Sequence, residues 1–207
     1  MSPVLTQAAT TRNFDIQDEI EFKDDLDKKP DDLFVQSITE FIEQLNKFSQ
    51  LGYFDWNLKS EYAIESFAFC ESDNLPSFEG SGSINRRVDS EIERTAIGTS
   101  KNLLAKIAEL KIGGEHDRII DYKFSFDKES LTIQTKVKFE NEKKAEIFNN
   151  ELIGYLSQPV LGIKPSKEKI VAENTKVTLE NNQVFIVTRL PRGSLDNLLK
   201  QDAKAEK

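Results

Sequence analysis

Residues 119–139, IIDYKFSFDKESLTIQTKVKF, decide the fold of this chain because they predict an antiparallel hairpin with only one apolar face. Two strands flank the turn Asp127-Lys128-Glu129-Ser130, and apolar residues alternate with polar ones along both. The predicted apolar face pairs Phe126 with Leu131, Phe124 with Ile133, Tyr122 with Thr135 and Ile120 with Val137. The opposite face pairs Ser125 with Thr132, Lys123 with Gln134 and Asp121 with Lys136. Such alternation is typical of a sheet with one side against the core and the other facing solvent or a partner.

Amphipathic helices and a second hairpin are predicted around this first hairpin. Pro30-Asp31-Asp32 is expected to start a helix that ends at Gly52, with apolar positions Phe34, Ile38, Phe41, Leu45 and Phe48. Asn141 is expected to cap a second helix, with apolar positions Ala145, Phe148, Leu152, Tyr155 and Leu156. The turn Asn181-Asn182 predicts a hairpin that pairs Leu179 with Val184 and Val177 with Ile186. A short helix is expected from Leu195 to about Lys200.

The region between residues 61 and 110 gives a weaker signal. Residues 61–71, EYAIESFAFCE, predict a strand with a bulge near Ser66, where the apolar side chains change face. The apolar residues Ile84, Val88, Ile92 and Ala96 recur every four positions, a spacing that fits both a strand and a drifting helix. We favour a strand for residues 78–97. Gly98-Thr99-Ser100 is then expected to cap a helix carrying Leu103, Leu104, Ile107 and Leu110.

These elements predict an α+β fold with an antiparallel sheet of four to six strands, built from hairpins, with helices packed on one face. The hairpin-then-helix order occurs at 119–157, again at 175–200, and in degenerate form at 61–110. Residues 31–200 are predicted to form one domain, followed by a polar tail at 201–207. Residues 1–30 are predicted to be an acidic leader that is either solvated or ordered by a basic, apolar groove on a partner.

Composition limits the classes of function. The chain has 36 acidic against 28 basic residues in 207, a net charge of −8 that disfavours extensive contact with nucleic acid. Its one cysteine, Cys70, cannot form an intramolecular disulfide, which favours a reducing compartment. The sequence predicts neither a membrane span nor a secretory signal. We therefore expect a cytoplasmic protein.

Few residues suggest catalysis or metal binding. His116 is the only histidine, and without a second histidine or a cysteine cluster a zinc site is disfavoured. A Cys70–His116 dyad is disfavoured because Cys70 lies in an apolar run. The run Gly80-Ser81-Gly82-Ser83 lacks the lysine of a phosphate-binding loop and is interpreted as a turn. We therefore predict no catalytic residue, no metal site and no cofactor.

Arginine placement provides the candidate binding residues. The chain has seven arginines against twenty-one lysines, and arginine is the better residue for bidentate binding of carboxylate or phosphate. Arg86, Arg87 and Arg94 fall in one segment, while Arg189 and Arg192 flank the entry to the last helix, where Gly193 and Ser194 follow. These five arginines are the predicted site for an anion or an acidic peptide; the alternative is that Ser194 only caps a helix and the arginines pair with local acids.

Three functions are compatible with these features. The first is a non-catalytic protein-binding module, acting as an assembly factor, adaptor or small acidic chaperone, with an unidentified protein partner and homodimerisation left open. The second is a nucleic-acid module using Lys123, Lys136 and Lys138 with Arg86, Arg87 or Arg94, which the overall acidity disfavours. The third is an enzyme or small-ligand protein whose pocket is lined by Tyr62, Tyr122, Tyr155 or Trp56. The first requires the fewest assumptions.

Overall fold

A computed structural model describes residues 30–57, 59–68, 79–81, 84–112, 119–157 and 167–200. These residues form helices on one face of a six-stranded antiparallel sheet with strand order β2-β1-β3-β4-β6-β5. The elements in chain order are α1 (Pro30–Gln50), β1 (Ser60–Ala68), β2 (Glu79–Ser81), α2 (Arg86–Glu109), β3 (Ile119–Phe126), β4 (Ser130–Lys138), α3 (Glu142–Leu156), α4 (Lys167–Glu173), β5 (Thr175–Glu180), β6 (Gln183–Pro191) and α5 (Arg192–Lys200). The predicted α+β class and antiparallel sheet are confirmed. The leader up to residue 29, the tail at 201–207, Cys70 and His116 lie outside the described residues.

The hairpin of β3 and β4 has the predicted register at all seven pairs, from Phe126–Leu131 to Ile120–Val137. Its turn is closed by the Asp127 carboxylate, which accepts the backbone N–H groups of Glu129 at 2.7 Å and Ser130 at 2.8 Å. These two bonds favour the charged form and lower the pKa of Asp127. Turn chemistry and side-chain alternation therefore fix the same register.

The second hairpin also has the predicted register, with Leu179 opposite Val184 and Val177 opposite Ile186. In its turn, Asn181 has φ +55°, a conformation that asparagine tolerates better than most residues. Among the described elements, a hairpin is followed by a helix three times, as β1-β2-α2, β3-β4-α3 and β5-β6-α5. The bulge predicted in β1 appears as a register shift between Ile64 and Phe67 against β3.

The strand predicted for residues 78–97 is wrong over most of its length. Of the described residues in this range, only Glu79–Ser81 form a strand, and Arg86–Glu109 is a single helix with Asn85 as its N-cap. Gly98-Thr99-Ser100 lies inside this helix and caps nothing; the Thr99 hydroxyl donates to the Thr95 carbonyl at 2.7 Å. The physical reason is that one buried helical stripe runs through Val88, Ile92 and Ala96 and continues beyond Gly98, whose cost in a helix interior is only about 1 kcal/mol.

The core lies between the sheet and the helices, which pack on its one apolar face as predicted. Phe41 of α1 meets Phe124 of β3 edge to face at 5.4 Å between ring centroids, and both are fully buried. Farther along the sheet, Phe148 of α3 packs on Phe139 at 5.2 Å. Helix α4, for which the sequence carries no clear signal, buries Val171 completely. None of the helices within the described ranges is long and apolar enough to cross a membrane.

Candidate functional site

Three of the five predicted arginines lie together on one surface of α2. Arg86, Arg87 and Arg94 border an open depression of about 500 Å³, with Phe48 of α1 as its apolar wall. Residues three, four, seven and eight apart share one side of a helix, so this spacing brings all three guanidinium groups toward the same region. We call Arg86, Arg87, Arg94, Phe48 and Tyr53 the arginine surface.

Arg94 is held in place by its own helix. Its Nε donates to Glu91 Oε2 at 3.1 Å and its terminal nitrogen donates to Glu91 Oε1 at 2.5 Å, a two-pronged pair. This hydrogen bonding raises the pKa of Arg94, with a further contribution from the carboxylates of Glu91 and Glu40. The alternative that the arginines pair with local acids therefore holds for Arg94. Glu91 holds its side chain in place and partly neutralises its charge.

Arg87 is positioned by an aromatic ring instead of a carboxylate. Its guanidinium carbon lies 4.0 Å from the centroid of the Tyr53 ring, which is 37 % exposed. Stacking leaves the N–H groups at the edge of the guanidinium available to another acceptor. Arg86 and Arg87 are both exposed, and neither forms an ion pair with any residue in the part of the chain that the structure describes.

The location of these two arginines is unfavourable for the helix itself. Arg86 and Arg87 are the first two residues of α2, where the partial positive charge of the helix dipole repels cations by roughly a few tenths of a kcal/mol each. The Asn85 side chain caps this end by accepting the backbone N–H of Arg87 at 3.0 Å. Two cations therefore lie at the helix end where carboxylates would be more stable.

The other two predicted arginines do not join this surface. Arg192 is the first residue of α5, which begins three residues earlier than expected, so Ser194 lies within the helix. Its guanidinium pairs with Asp196 at 3.3 Å and lies 5.8 Å from the Trp56 ring. Arg189 lies on β6 between the buried residues Thr188 and Leu190, so its side chain is on the opposite face of the sheet from the helices.

That opposite face is a second candidate surface, which we call the open sheet face. The side chains that β3, β4, β5 and β6 present there are exposed or half-buried: Asp121, Lys123, Ser125, Thr132, Gln134, Lys136, Lys176, Thr178, Phe185, Val187 and Arg189. Two of its lysines are neutralised locally, Lys123 by Glu61 at 3.2 Å and Lys136 by Asp121. Phe185 adds one aromatic ring beside Lys136, which the first hairpin alone did not reveal.

The aromatic residues suggested as pocket lining have other positions. Tyr62 and Tyr122 are buried in the core, where Tyr62 donates to Glu93 at 2.7 Å and the Tyr122 hydroxyl lies 2.6 Å from that of Ser100. Trp56 is also buried, against Phe54. None of these three lines the depression at α2. Tyr155 is partly buried and packs against the core.

The sequence alone did not indicate that Phe48 and Tyr53 contribute to the arginine surface. Phe48 was assigned to the apolar stripe of α1, and the aromatic run after Gly52 is the kind that usually closes a core. Phe54 and Trp56 do so, but Tyr53 turns to the surface. No local pattern links residue 53 to residue 87, because their contact depends on how α1 and α2 pack.

Within the described ranges, no group of three or more His, Cys, Asp or Glu side chains is placed to hold a metal ion. Comparison with protein-family models, with curated proteins and with solved structures found no match for this chain.

Proposed function

We propose that this protein is a non-catalytic module that binds another protein through the arginine surface. The observation that carries the proposal is the pair Arg86 and Arg87, exposed and without carboxylate partners among the described residues, beside Tyr53 and Phe48. Arginine and tyrosine are enriched where protein interfaces concentrate their binding energy. An assembly factor, adaptor or small acidic chaperone in the cytosol requires only such a surface, with no catalytic group.

A nucleic-acid partner is less well supported. Of the three lysines considered for that function, Lys123 and Lys136 lie on the open sheet face and are each paired with a carboxylate, while Lys138 is exposed at the end of β4. The α2 arginines lie on the helix side of the sheet, so the two sets do not form one basic stripe of the kind a nucleic-acid backbone follows. The net charge of −8 adds a long-range repulsion.

Site-specific photo-crosslinking tests the proposal. A photo-reactive amino acid is introduced into the full chain at Ser90, which borders the depression, and compared with the same group at Gln134 on the open sheet face and at Lys143 on the exposed side of α3. After irradiation in cell extract, we expect a discrete protein adduct from Ser90, abolished by Arg86→Ala/Arg87→Ala, and none from Lys143.

Three outcomes would contradict the proposal. A discrete adduct at Gln134 with none at Ser90 would place the binding site on the open sheet face. An adduct at twice the 23.6 kDa mass of the chain identifies a second copy as the occupant. If no discrete adduct forms at any of the three positions, the result would argue against a protein-binding module altogether.

A further inference from the structure

We infer that the arginine surface recognises an acidic segment of the partner, whose carboxylates bind Arg86 and Arg87 while an adjacent apolar side chain rests against Phe48 and Tyr53. The inference rests on the proposed function and specifies the chemistry of the partner.

The positive charge of the arginine surface favours an anionic ligand. Among the described residues, three arginines and one carboxylate, Glu91, border the depression, and together they make it locally positive within a chain of net charge −8. Because the pair of Glu91 and Arg94 is already closed, the cations left to attract a ligand are Arg86 and Arg87. A carboxylate pair one or two residues apart in a peptide matches two adjacent arginines, and each planar guanidinium can bind a carboxylate through two hydrogen bonds.

The guanidinium groups are partly ordered before binding. The Arg87 guanidinium carbon lies over the Tyr53 ring at 4.0 Å from its centroid, and Arg94, which also borders the depression, is held by its pair with Glu91. Binding to a preordered arginine loses less side-chain entropy than binding to a freely rotating lysine. A lysine at position 87 would keep the charge and lose both the stacking and the two-pronged geometry.

The shape of the depression favours a short segment that also carries an apolar residue. A volume of about 500 Å³ accommodates a few side chains, and it is open to solvent along one side. Phe48 forms part of the wall, and Leu51, 65 % exposed, lies two residues before Tyr53 at the end of α1. An extended or helical peptide with alternating acidic and apolar residues satisfies both the charges and this apolar wall.

Fluorescence anisotropy with the full-length chain tests the inference. The probe is a short labelled peptide that alternates glutamate with leucine and phenylalanine, and the matched control peptide carries glutamine in place of each glutamate. The charge-reversal variant is Arg86→Glu/Arg87→Glu. Its control is Lys138→Glu/Lys176→Glu, which makes the same change in net charge at strands of the sheet, away from α2.

The charge-reversal variant is expected to remain folded. Carboxylates at the first two positions of α2 interact favourably with the helix dipole, and the Asn85 cap bonds a backbone N–H that the substitution leaves in place. A circular dichroism spectrum and an unfolding midpoint equal to or above those of the unmodified chain establish this. Lost binding is then attributable to the surface.

We expect the glutamate peptide to bind, its affinity to fall as salt rises, and the glutamine peptide to bind on the order of tenfold more weakly. Arg86→Glu/Arg87→Glu is expected to reduce affinity by on the order of tenfold or more, because two charge-assisted contacts become repulsive. The lysine control is expected to change affinity about twofold or less. Arg87→Lys is expected to cost about two- to fivefold through the lost stacking on Tyr53.

Other results overturn the inference. If the glutamate peptide does not bind, or both double variants weaken it equally, the partner is not acidic at this site, and a Ser90 adduct would still support the proposed function. If binding appears only after the acidic residues between 15 and 25 are changed to their amides, the occupant is this chain's own leader. If a short single-stranded DNA binds more tightly with the same arginine dependence, the surface recognises phosphate.

Discussion

Removing the Tyr122 hydroxyl should change the pH dependence of stability in a way that tests how α2 is seated on the sheet. Tyr122 of β3 is 2 % exposed, and its hydroxyl lies 2.6 Å from that of Ser100 and 3.1 Å from that of Thr99. Burial raises its pKa to about 12, partly offset by the hydrogen bonds with Ser100 and Thr99. The hydroxyl is therefore kept protonated in the folded state.

The expected magnitude follows from this pKa difference. In the unfolded chain Tyr122 ionises near its ordinary value of about 10, so its stabilising contribution is fully present below that pH and is lost as pH rises toward about 12. At about pH 11 the loss is RT ln(11/1.1), or about 1.4 kcal/mol of unfolding free energy. Tyr122→Phe cannot ionise and avoids this loss.

The substitution has a separate cost at lower pH. Phenylalanine would leave the fully buried Ser100 hydroxyl without its partner, which should lower the unfolding free energy by about 1–2 kcal/mol. The unmodified chain should therefore be more stable than Tyr122→Phe by about that amount near pH 8 and nearly equal to it near pH 11. Other titrating groups are common to both proteins and cancel in the difference.

Urea unfolding of both proteins, followed by circular dichroism at the two pH values, measures this difference. The absorbance of tyrosinate in the folded proteins gives the pKa of Tyr122 by subtraction. A stability gap that stays constant between the two pH values would refute the reasoning, because it would mean that the hydroxyl is accessible to solvent and that α2 does not cover β3 at this position.

Three further substitutions test other parts of the fold. Phe124→Ala should lower the unfolding free energy by about 3–5 kcal/mol in urea titrations, because Phe124 is fully buried against Phe41; a loss below about 1 kcal/mol would contradict its central position. Asn181→Ala should cost about 1–2 kcal/mol because residue 181 has φ +55°, whereas Asn181→Gly should cost almost nothing, and equal thermal midpoints for the two variants would count against that turn. Asn85→Ala should cost about 1 kcal/mol in thermal unfolding through the lost cap of α2; an unchanged midpoint would place the helix start elsewhere.

The hairpins could be predicted because the alternation of apolar and polar residues and the turn residues specify the same strand register. In β3 and β4, apolar or aromatic residues occupy every second position except for Thr135, and Asp127 supplies the turn chemistry. A shift by one residue would expose every phenylalanine, so only one register is compatible with a buried face. Helix α4 carried no comparable signal, since seven residues with one buried side chain, Val171, are too few to define a stripe.

Helix α2 was misassigned because a spacing of four is a multiple of two, so Val88, Ile92 and Ala96 satisfy a strand as well as a helix. The polar residues between them resolve the ambiguity. In a strand, every second residue shares a face, so Arg86, Ser90 and Arg94 would point into the core with Val88. In a helix, residues two apart lie on nearly opposite sides, which separates the arginines from the apolar stripe.

The same distinction determines whether a binding site exists. As a strand, residues 86–94 would have placed Arg86 and Arg94 on one face and Arg87 on the other, and no shared surface would result. The helix instead gathers all three at one depression, and its packing against α1 brings Phe48 and Tyr53 to the same place. From the sequence alone, only the arginines of this surface could therefore be identified as candidate binding residues. Their arrangement and their aromatic neighbours depend on the tertiary contact between two helices that are distant in the chain, and that contact leaves no local periodicity to detect.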